Sequence, residues 1–508
     1  MKVLTAAEMR EVDRRTIELG IPGIILMENA GQRVVEFLAE RFAPLREQRI
    51  VVLCGKGNNG GDGLAIARQL YTRFRPAALD VVLLAAAGDL QGDAAANYRM
   101  LHACGCAVTM DIPAHAQNAT LVIDALLGTG TAGAARGRTL EAIGEINTGF
   151  PLAKVVAVDM PSGMPSDSGT PAGEFARADY TVTFTAPKVG LVLPPNCDHV
   201  GELVTAPIGS PPSLYDHCAL ALLEPAMFRD LLAPRPHGGH KGTFGHVLVV
   251  AGSRGKTGAA AMTGLAALRA GAGLVTVASA ASAIAEISAH APELMTEPLT
   301  ETPQGTIARN ADLARIAEGK TVIAMGPGLG RDESVAQLVA GAAATFEQPM
   351  VLDADALVGQ ASGRSARTRV LTPHPGEMAR LAGTTTAEIQ SDRLASARAY
   401  ATAHSVTLVL KGQRTLLAFP DGRVWINPTG TPAMGTGGSG DILTGMIAGF
   451  LAQFPLQPDR ALAAAVYLHG LAGEIGARAL GEKCLIATDI LRYLPDAMEE
   501  CADVPHGL

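Results

Sequence analysis

The stretch RIVVLCGKGNNGGDGLAIAR (residues 49–68) decides the fold. After Arg49 come five apolar residues without a break, from Ile50 to Cys54. Such a run, rich in β-branched side chains, reads as a strand buried on both faces, as in a parallel sheet covered by helices. GKGNNGGDG (55–63) follows at once, and a helix fits from Gly61 to about Arg73. Open α/β sheets place their ligands at such glycine loops, at the carboxyl ends of strands.

The alternation continues on both sides. Helices fit residues 6–19 and 24–41, separated by Pro22-Gly23, and strands fit 80–85, 120–124 and 155–159. Residues 209–240, rich in Pro and Gly, read as a connector with a short helix near 226–232. A second series follows. Its strands fit 246–251, 274–278, 321–325, 350–353 and 407–411, and its helices fit 259–270, 334–344, 441–453 and 458–479. Two α/β domains are therefore expected, 1–220 and 221–508.

Composition narrows the function. The 508 residues are 48% hydrophobic and 18% charged, too apolar for a disordered chain. A net charge of −8 and 4% aromatics leave neither a basic field for phosphate backbones nor stacking platforms, so no nucleic-acid partner is expected. Seven cysteines without a CxxC pair favour a reducing cytosol over a disulfide framework. The start, MKVLTAAEMR, has no apolar signal region, and the longest uncharged stretches, 270–285 and 442–458, are too short to span a bilayer. A cytoplasmic homo-oligomer with no membrane partner is expected.

In GKGNNGGDG, backbone N–H groups can form an anion site at a helix N-terminus. Asp62 is placed either to accept from a ribose hydroxyl or to cap the helix. VIDALLGTG (122–130) and VAVDMPSG (156–163) each end a strand in an aspartate, Asp124 and Asp159, before a glycine turn. A buried carboxylate there needs donors or a cation, and Asn59, Asp124 and Ser162 offer hard oxygen ligands.

Together with MENAG (27–31) and TFTAPKVGL (183–191), these motifs resemble the NAD(P)H-hydrate epimerase domain over about residues 1–220. The resemblance implies a Rossmann-like fold that interconverts the R and S epimers of hydrated NADH or NADPH (NADHX, NADPHX) and carries potassium. It implies that Asn58, Asn59, Gly60, Gly61 and Asp62 contact the substrate. Gly128, Thr129, Gly130, Thr131, Ala132, Gly133 and Ala134 would lie along it. Asp159 would meet the hydrated nicotinamide as the catalytic group, and Asn59, Asp124 and Ser162 would hold the potassium ion.

GTGGSGD (435–441) precedes an apolar helical stretch. Its amides suit charge developing on a transferring phosphoryl group, and Asp441 can take a proton from an attacking hydroxyl. LVLKGQRT (408–415) ends a strand in Lys411-Gly412, LTPHPGE (371–377) sets His374 between prolines, and GPGLG (326–330) follows a strand. GKT at 255–257 lacks the earlier glycine of a P-loop, since Val250 stands there, so Lys256 reads as a solvated loop lysine.

With HKGTFGHVLVVAGS (240–253), these motifs resemble the NAD(P)H-hydrate dehydratase domain of the ribokinase-like superfamily over about residues 230–500. The resemblance implies that Lys411, Gly412, Gln413, Arg414, Thr415 and Gly440 contact the adenine nucleotide. Ala259, Gly328, His374 and Asp441 would contact the hydrated dinucleotide, with Asp441 catalytic. ADP, with Mg2+, is the nucleotide expected of a bacterial member. Two rivals stay open at this level. One is a ribokinase-like small-molecule kinase fused to a nucleotide-binding domain; the other is a non-catalytic binding module.

Overall fold

The computed structural model describes residues 1–130, 133–358 and 368–502. Two compact units emerge, Met1–Leu220 and Ala221–Leu508.

The first sheet contains β1 (Arg49–Cys54), β2 (Ala78–Leu83), β3 (Val108–Thr109), β4 (Leu121–Ala125), β5 (Lys154–Val158), β6 (Tyr180–Phe184) and β7 (Glu202–Ala206). Their order is β3-β2-β1-β4-β5-β6-β7, and every pairing is parallel. The chain runs outward from β1 to β3, then resumes at β4 on the other side of β1. That reversal is a doubly wound switch point, and it opens the loops after β1 and β4 into one crevice. The central strands are buried throughout beyond Arg49, which is why they appear as unbroken apolar runs.

The helix after β1 spans Asn58–Gln69 and starts three residues before the expected Gly61. The glycines do not delay the helix; they let its first turn lie against the loop. A Cβ on Gly60 would fall 1.8 Å from the Gly55 carbonyl oxygen, and one on Gly61 would fall 2.7 Å from the Met27 side chain. Asp62 therefore sits inside the helix, and the expectation that it caps the helix is corrected: the N-cap is Gly57.

The second sheet contains β8 (Leu220–Leu222), β9 (His246–Val250), β10 (Leu274–Ala280), β11 (Met295–Leu299), β12 (Val322–Met325), β13 (Met350–Leu352), β14 (Arg369–Leu371), β15 (Thr407–Leu410), β16 (Leu416–Ala418) and β17 (Val424–Ile426). Their order is β11-β10-β9-β12-β13-β14-β15-β16-β17-β8. Pairing is parallel from β11 to β15 and antiparallel from β15 to β17. The expected helix near 226–232 is instead two 3-10 turns, Pro225–Met227 and Arg229–Leu232, parted at Phe228. Phe228 is fully buried and packs on Tyr467, its ring centroid 5.4 Å away. Anchoring that ring takes precedence over regular helix.

The glycine loop thus rests on close backbone approach. Gly60→Ala is expected to lower the thermal unfolding midpoint by several degrees, a loss of about 1–3 kcal/mol, because the added methyl meets backbone that cannot turn aside. Calorimetry on the variant checks this.

Candidate active sites

At the switch point of the first sheet lies a cavity of about 780 Å³, lined among others by Asn58, Asn59, Asp62, Gly128, Thr129, Gly130, Asp159 and Lys188. Gly60 and Gly61 pack behind it, and Gly133 and Ala134 do not line it. Thr131 and Ala132 lie outside the described residues.

Asp159 follows β5 in the left-handed region, at φ +65. That backbone is strained for a residue with a Cβ, and it turns the carboxylate off the strand axis. Three donors converge on one oxygen, Oδ1: Lys188 Nζ at 2.5 Å, Thr183 Oγ1 at 3.2 Å and the Phe184 N–H at 3.5 Å. None of these bonds falls on Oδ2. The ammonium of Lys188, 1% exposed, also donates to Thr183 Oγ1 and the Phe184 carbonyl, so its three protons are all engaged. Lys188 therefore orients and neutralises Asp159. Asp62 shares the cavity, and burial pushes its carboxyl well above the usual range, helped by the negative charges of Asp159 and Asp13.

Asn59, Asp124 and Ser162 are linked through the chain that follows β4. Asn59 Nδ2 donates to the Leu127 carbonyl at 2.9 Å, and the Leu127 N–H donates to Ser162 Oγ at 2.9 Å. Ser162 in turn donates to Asp124 from its hydroxyl at 2.5 Å and from its backbone at 2.8 Å. Asn59 Oδ1 is buried without a hydrogen-bond partner. An orphaned amide oxygen, linked through Leu127 to a hydroxyl and a buried carboxylate, belongs to a donor set whose chemistry fits a hard monovalent cation. Burial raises the Asp124 carboxyl to about 6 even though Ser162 and Leu126 donate to it.

In the second sheet, the ends of β13 and β15 meet the start of the helix Ser439–Gln453. Asp353, 1% exposed, accepts from Lys411 Nζ at 2.7 Å and from Thr444 Oγ1 at 2.8 Å. A Cβ on Gly440 would lie 3.3 Å from Lys411 Nζ and 3.8 Å from Asp353 Oδ2, so this ion pair sits directly against the glycine turn. Gly438, at φ +95, leads into the helix. Asp441, in its first turn, is raised to about 7 by burial first and by the charge of Asp353 second, with Lys411 opposing. A carboxylate so poised is suited to take a proton near neutral pH.

Lys411, Gly412, Gln413, Arg414 and Thr415 form the turn between the antiparallel β15 and β16. Gly412 and Arg414 have positive φ, and Thr415 Oγ1 closes the turn onto the Gly412 carbonyl at 2.9 Å. Gly328 and Ala259 are neighbours, since a Cβ on Gly328 would fall 3.1 Å from that of Ala259. His374 N-caps the helix Pro375–Ala382, with Nδ1 accepting from Gly376 N–H at 3.0 Å. This assigns its proton to Nε2, on a ring 56% exposed. Lys256 is half-exposed, as expected of a loop lysine, and lies 3.7 Å from Asp355.

Sequence reasoning did not single out Lys188, Asp353 or His469. His469 is buried with Nε2 3.0 Å from the Ser439 carbonyl, and burial lowers it to about 4, so the neutral ring steadies the glycine turn. A lysine inside TFTAPKVGL and an aspartate closing an apolar strand were the available signals; His469, in an apolar helix, gave none.

Comparisons with known proteins bear on both units. Residues 23–190 match the family described as YjeF-related protein N-terminus, and residues 247–496 match that described as NAD(P)H-hydrate dehydratase. The chain is 45% identical to a bifunctional NAD(P)H-hydrate repair enzyme of Moorella thermoacetica, over 97% of this chain and 96% of that protein. It is 38% identical to one of Thermofilum pendens, over 98% and 96%. Among solved structures, it resembles an ADP/ATP-dependent NAD(P)H-hydrate dehydratase of Bacillus subtilis, co-crystallised with ATP and Mg2+. The TM-score is 0.51 at 36% identity, covering 56% of this chain and 99% of that one.

The raised Asp441 carboxyl carries a stability cost of definite sign. Between its unfolded value of 3.8 and about 7, the folded state holds a proton that the unfolded state has released. Stability is therefore lost as pH rises through that window, up to about 4 kcal/mol for this group. Asp441→Asn is expected to raise the unfolding midpoint at pH 8, with the gain vanishing toward pH 4. Melting curves across that range check it.

Proposed function

The chain belongs to the family of bifunctional NAD(P)H-hydrate repair enzymes, and on that footing we propose how its two sites divide the work. It is an epimerase and a dehydratase. It interconverts R and S hydrates of NADH and NADPH, and it dehydrates the S epimer at the expense of ADP, giving AMP and phosphate. The observation that carries the reading is a carboxylate set beside a glycine turn in each unit, Asp159 after a strand in one and Asp441 in the first turn of a helix in the other.

In the first cavity Asp159 is the group that exchanges protons at the hydrated ring. Lys188 occupies Oδ1 and leaves Oδ2 for the substrate. Asn58, Asn59, Asp62 and the turn Gly128, Thr129, Gly130 flank the dinucleotide. Asn59, Asp124 and Ser162 would hold potassium. When bound, the ion supplies a fixed positive charge for nearby phosphate or ribose oxygens.

In the second site Asp441 accepts the proton of the C6 hydroxyl of the S hydrate as that oxygen attacks the terminal phosphorus of ADP. The amides of Gly437 to Gly440 and the Lys411 ammonium meet the charge developing on the phosphoryl group. Hydroxide is a poor leaving group and phosphate a good one, so loss of phosphate from C6 and of a proton from C5 to solvent then restores the dihydronicotinamide. Among the described residues no three or more His, Cys, Asp or Glu are gathered as a metal cluster. Mg2+ would enter on the nucleotide's phosphates, as it commonly does. Lys411, Gly412, Gln413, Arg414 and Thr415, with Gly440, would line the nucleotide, and Ala259, Gly328 and His374 the hydrate. Among the described residues no helix is long and apolar enough to cross a membrane. A homo-oligomer acting in the cytoplasm completes the proposal.

Asp441→Ala is expected to abolish ADP-dependent recovery of dihydronicotinamide absorbance from S hydrate while R/S interconversion continues. Asp159→Ala is expected to do the reverse, stranding the R epimer while S hydrate is still consumed. Chromatography of both epimers, with and without ADP, decides each. A stable phosphorylated product without that recovery would favour the kinase reading instead. Because potassium needs the charged form of Asp124, its affinity is expected to weaken as pH falls through about 6, which a potassium titration at several pH values measures.

A further inference from the structure

The first cavity holds a titratable group that the functional reading leaves unused. Asp13 lies on the helix Ala6–Glu18, and its side chain lines the cavity with Asp62, Asp159 and Lys188. Its Oδ1 is shut off from solvent and has no hydrogen-bond partner. Other carboxylates of the same helix are satisfied: Glu11 and Glu18 pair with Arg14 on the outer face, and Glu8 closes the N-terminal capping box. A bare, buried carboxyl oxygen costs stability, and the side chain that carries it lines the cavity that would take the substrate.

We propose that Asp13 is the second proton-transfer group of this cavity, partner to Asp159 in inverting C6 of the hydrate. The inference rests on the epimerase reading of the site. Inversion of one carbon needs a proton delivered where the old bond breaks and one removed where the new bond forms. Asp13, protonated, gives its proton to the C6 hydroxyl. The C6–O bond breaks, water departs, and the ring nitrogen's lone pair becomes a nitrogen–carbon double bond. Water then adds to the other face of C6, the nitrogen regains its pair, and the surplus proton passes to the Asp159 carboxylate. Asp13 has lost one proton and Asp159 has gained one; the reverse epimerisation exchanges the roles.

The surroundings suit the donor role. Burial lifts the Asp13 carboxyl to about 6, with Lys188 opposing and the Asp159 charge adding. Asp62 faces it from the helix Asn58–Gln69, Arg10 lies on its own helix, and Lys56, Asp89 and Asp93 stand around the same cavity. A protonated fraction therefore persists near neutral pH.

The test uses the full chain with purified R hydrate and no nucleotide, following the appearance of the S epimer. Asp13→Asn is expected to slow interconversion by about 100-fold or more, Asp13→Glu to restore part of the rate, and the wild-type loss of rate above pH 6 to be absent from Asp13→Asn. ADP-dependent consumption of pure S hydrate, the work of the other unit, is expected to be unchanged in Asp13→Asn and so reports intact protein. An Asp13→Asn variant with wild-type rate and wild-type pH profile overturns the inference alone. A wild-type chain that fails to interconvert the epimers overturns the epimerase reading and the inference with it.

Discussion

Each site depends on a lysine ammonium held against a strand-end aspartate. Lys188 meets Asp159 after β5, and Lys411 meets Asp353 after β13. In water such a pair is worth little; out of water it must be geometrically complete to persist. Both pairs are. Lys188 places all three protons, and Asp353 engages both oxygens through Lys411 and Thr444. The pairs play different parts. In the first site the paired aspartate is itself the reactive group, with one oxygen tied and one released. In the second the paired aspartate is auxiliary, and its negative charge helps to keep the neighbouring Asp441 protonated until near pH 7.

The glycines fit this arrangement. Gly60 and Gly440 lie where a methyl would strike a backbone carbonyl or crowd the ion pair. Their contribution is proximity more than flexibility, since both belong to ordinary helical first turns. A charged pair and a tightly approaching backbone leave a pocket whose walls are polar by position and rigid by packing.

Legibility in the sequence followed burial. β1, β4, β9 and β12 were readable because strands covered on both faces are unbroken apolar runs. β6 was missed because YTVTF alternates threonine with larger residues, although Thr181 and Thr183 are fully buried. β3 and β8 have two and three residues, too few to show a pattern. Asp159 and Asp441 announced themselves through glycine turns beside them. Lys188, Asp353 and Asp13 did not, because a buried charge acquires meaning only from a partner distant in the chain. Asp13 was further hidden among the six other charged residues of its helix.

The closed pairing of the first sheet has a consequence for biosynthesis. Among the described residues, β1 to β7 pair only with one another, and none beyond Ile208 lines the cavity they frame. A growing polypeptide therefore holds every part of that pocket before the later sheet has been translated, and domains generally fold as units in N-to-C order. The later sheet obeys the opposite schedule. Its edge strand β8 emerges first yet must wait some two hundred residues for β17, so that edge stays open until translation is nearly finished.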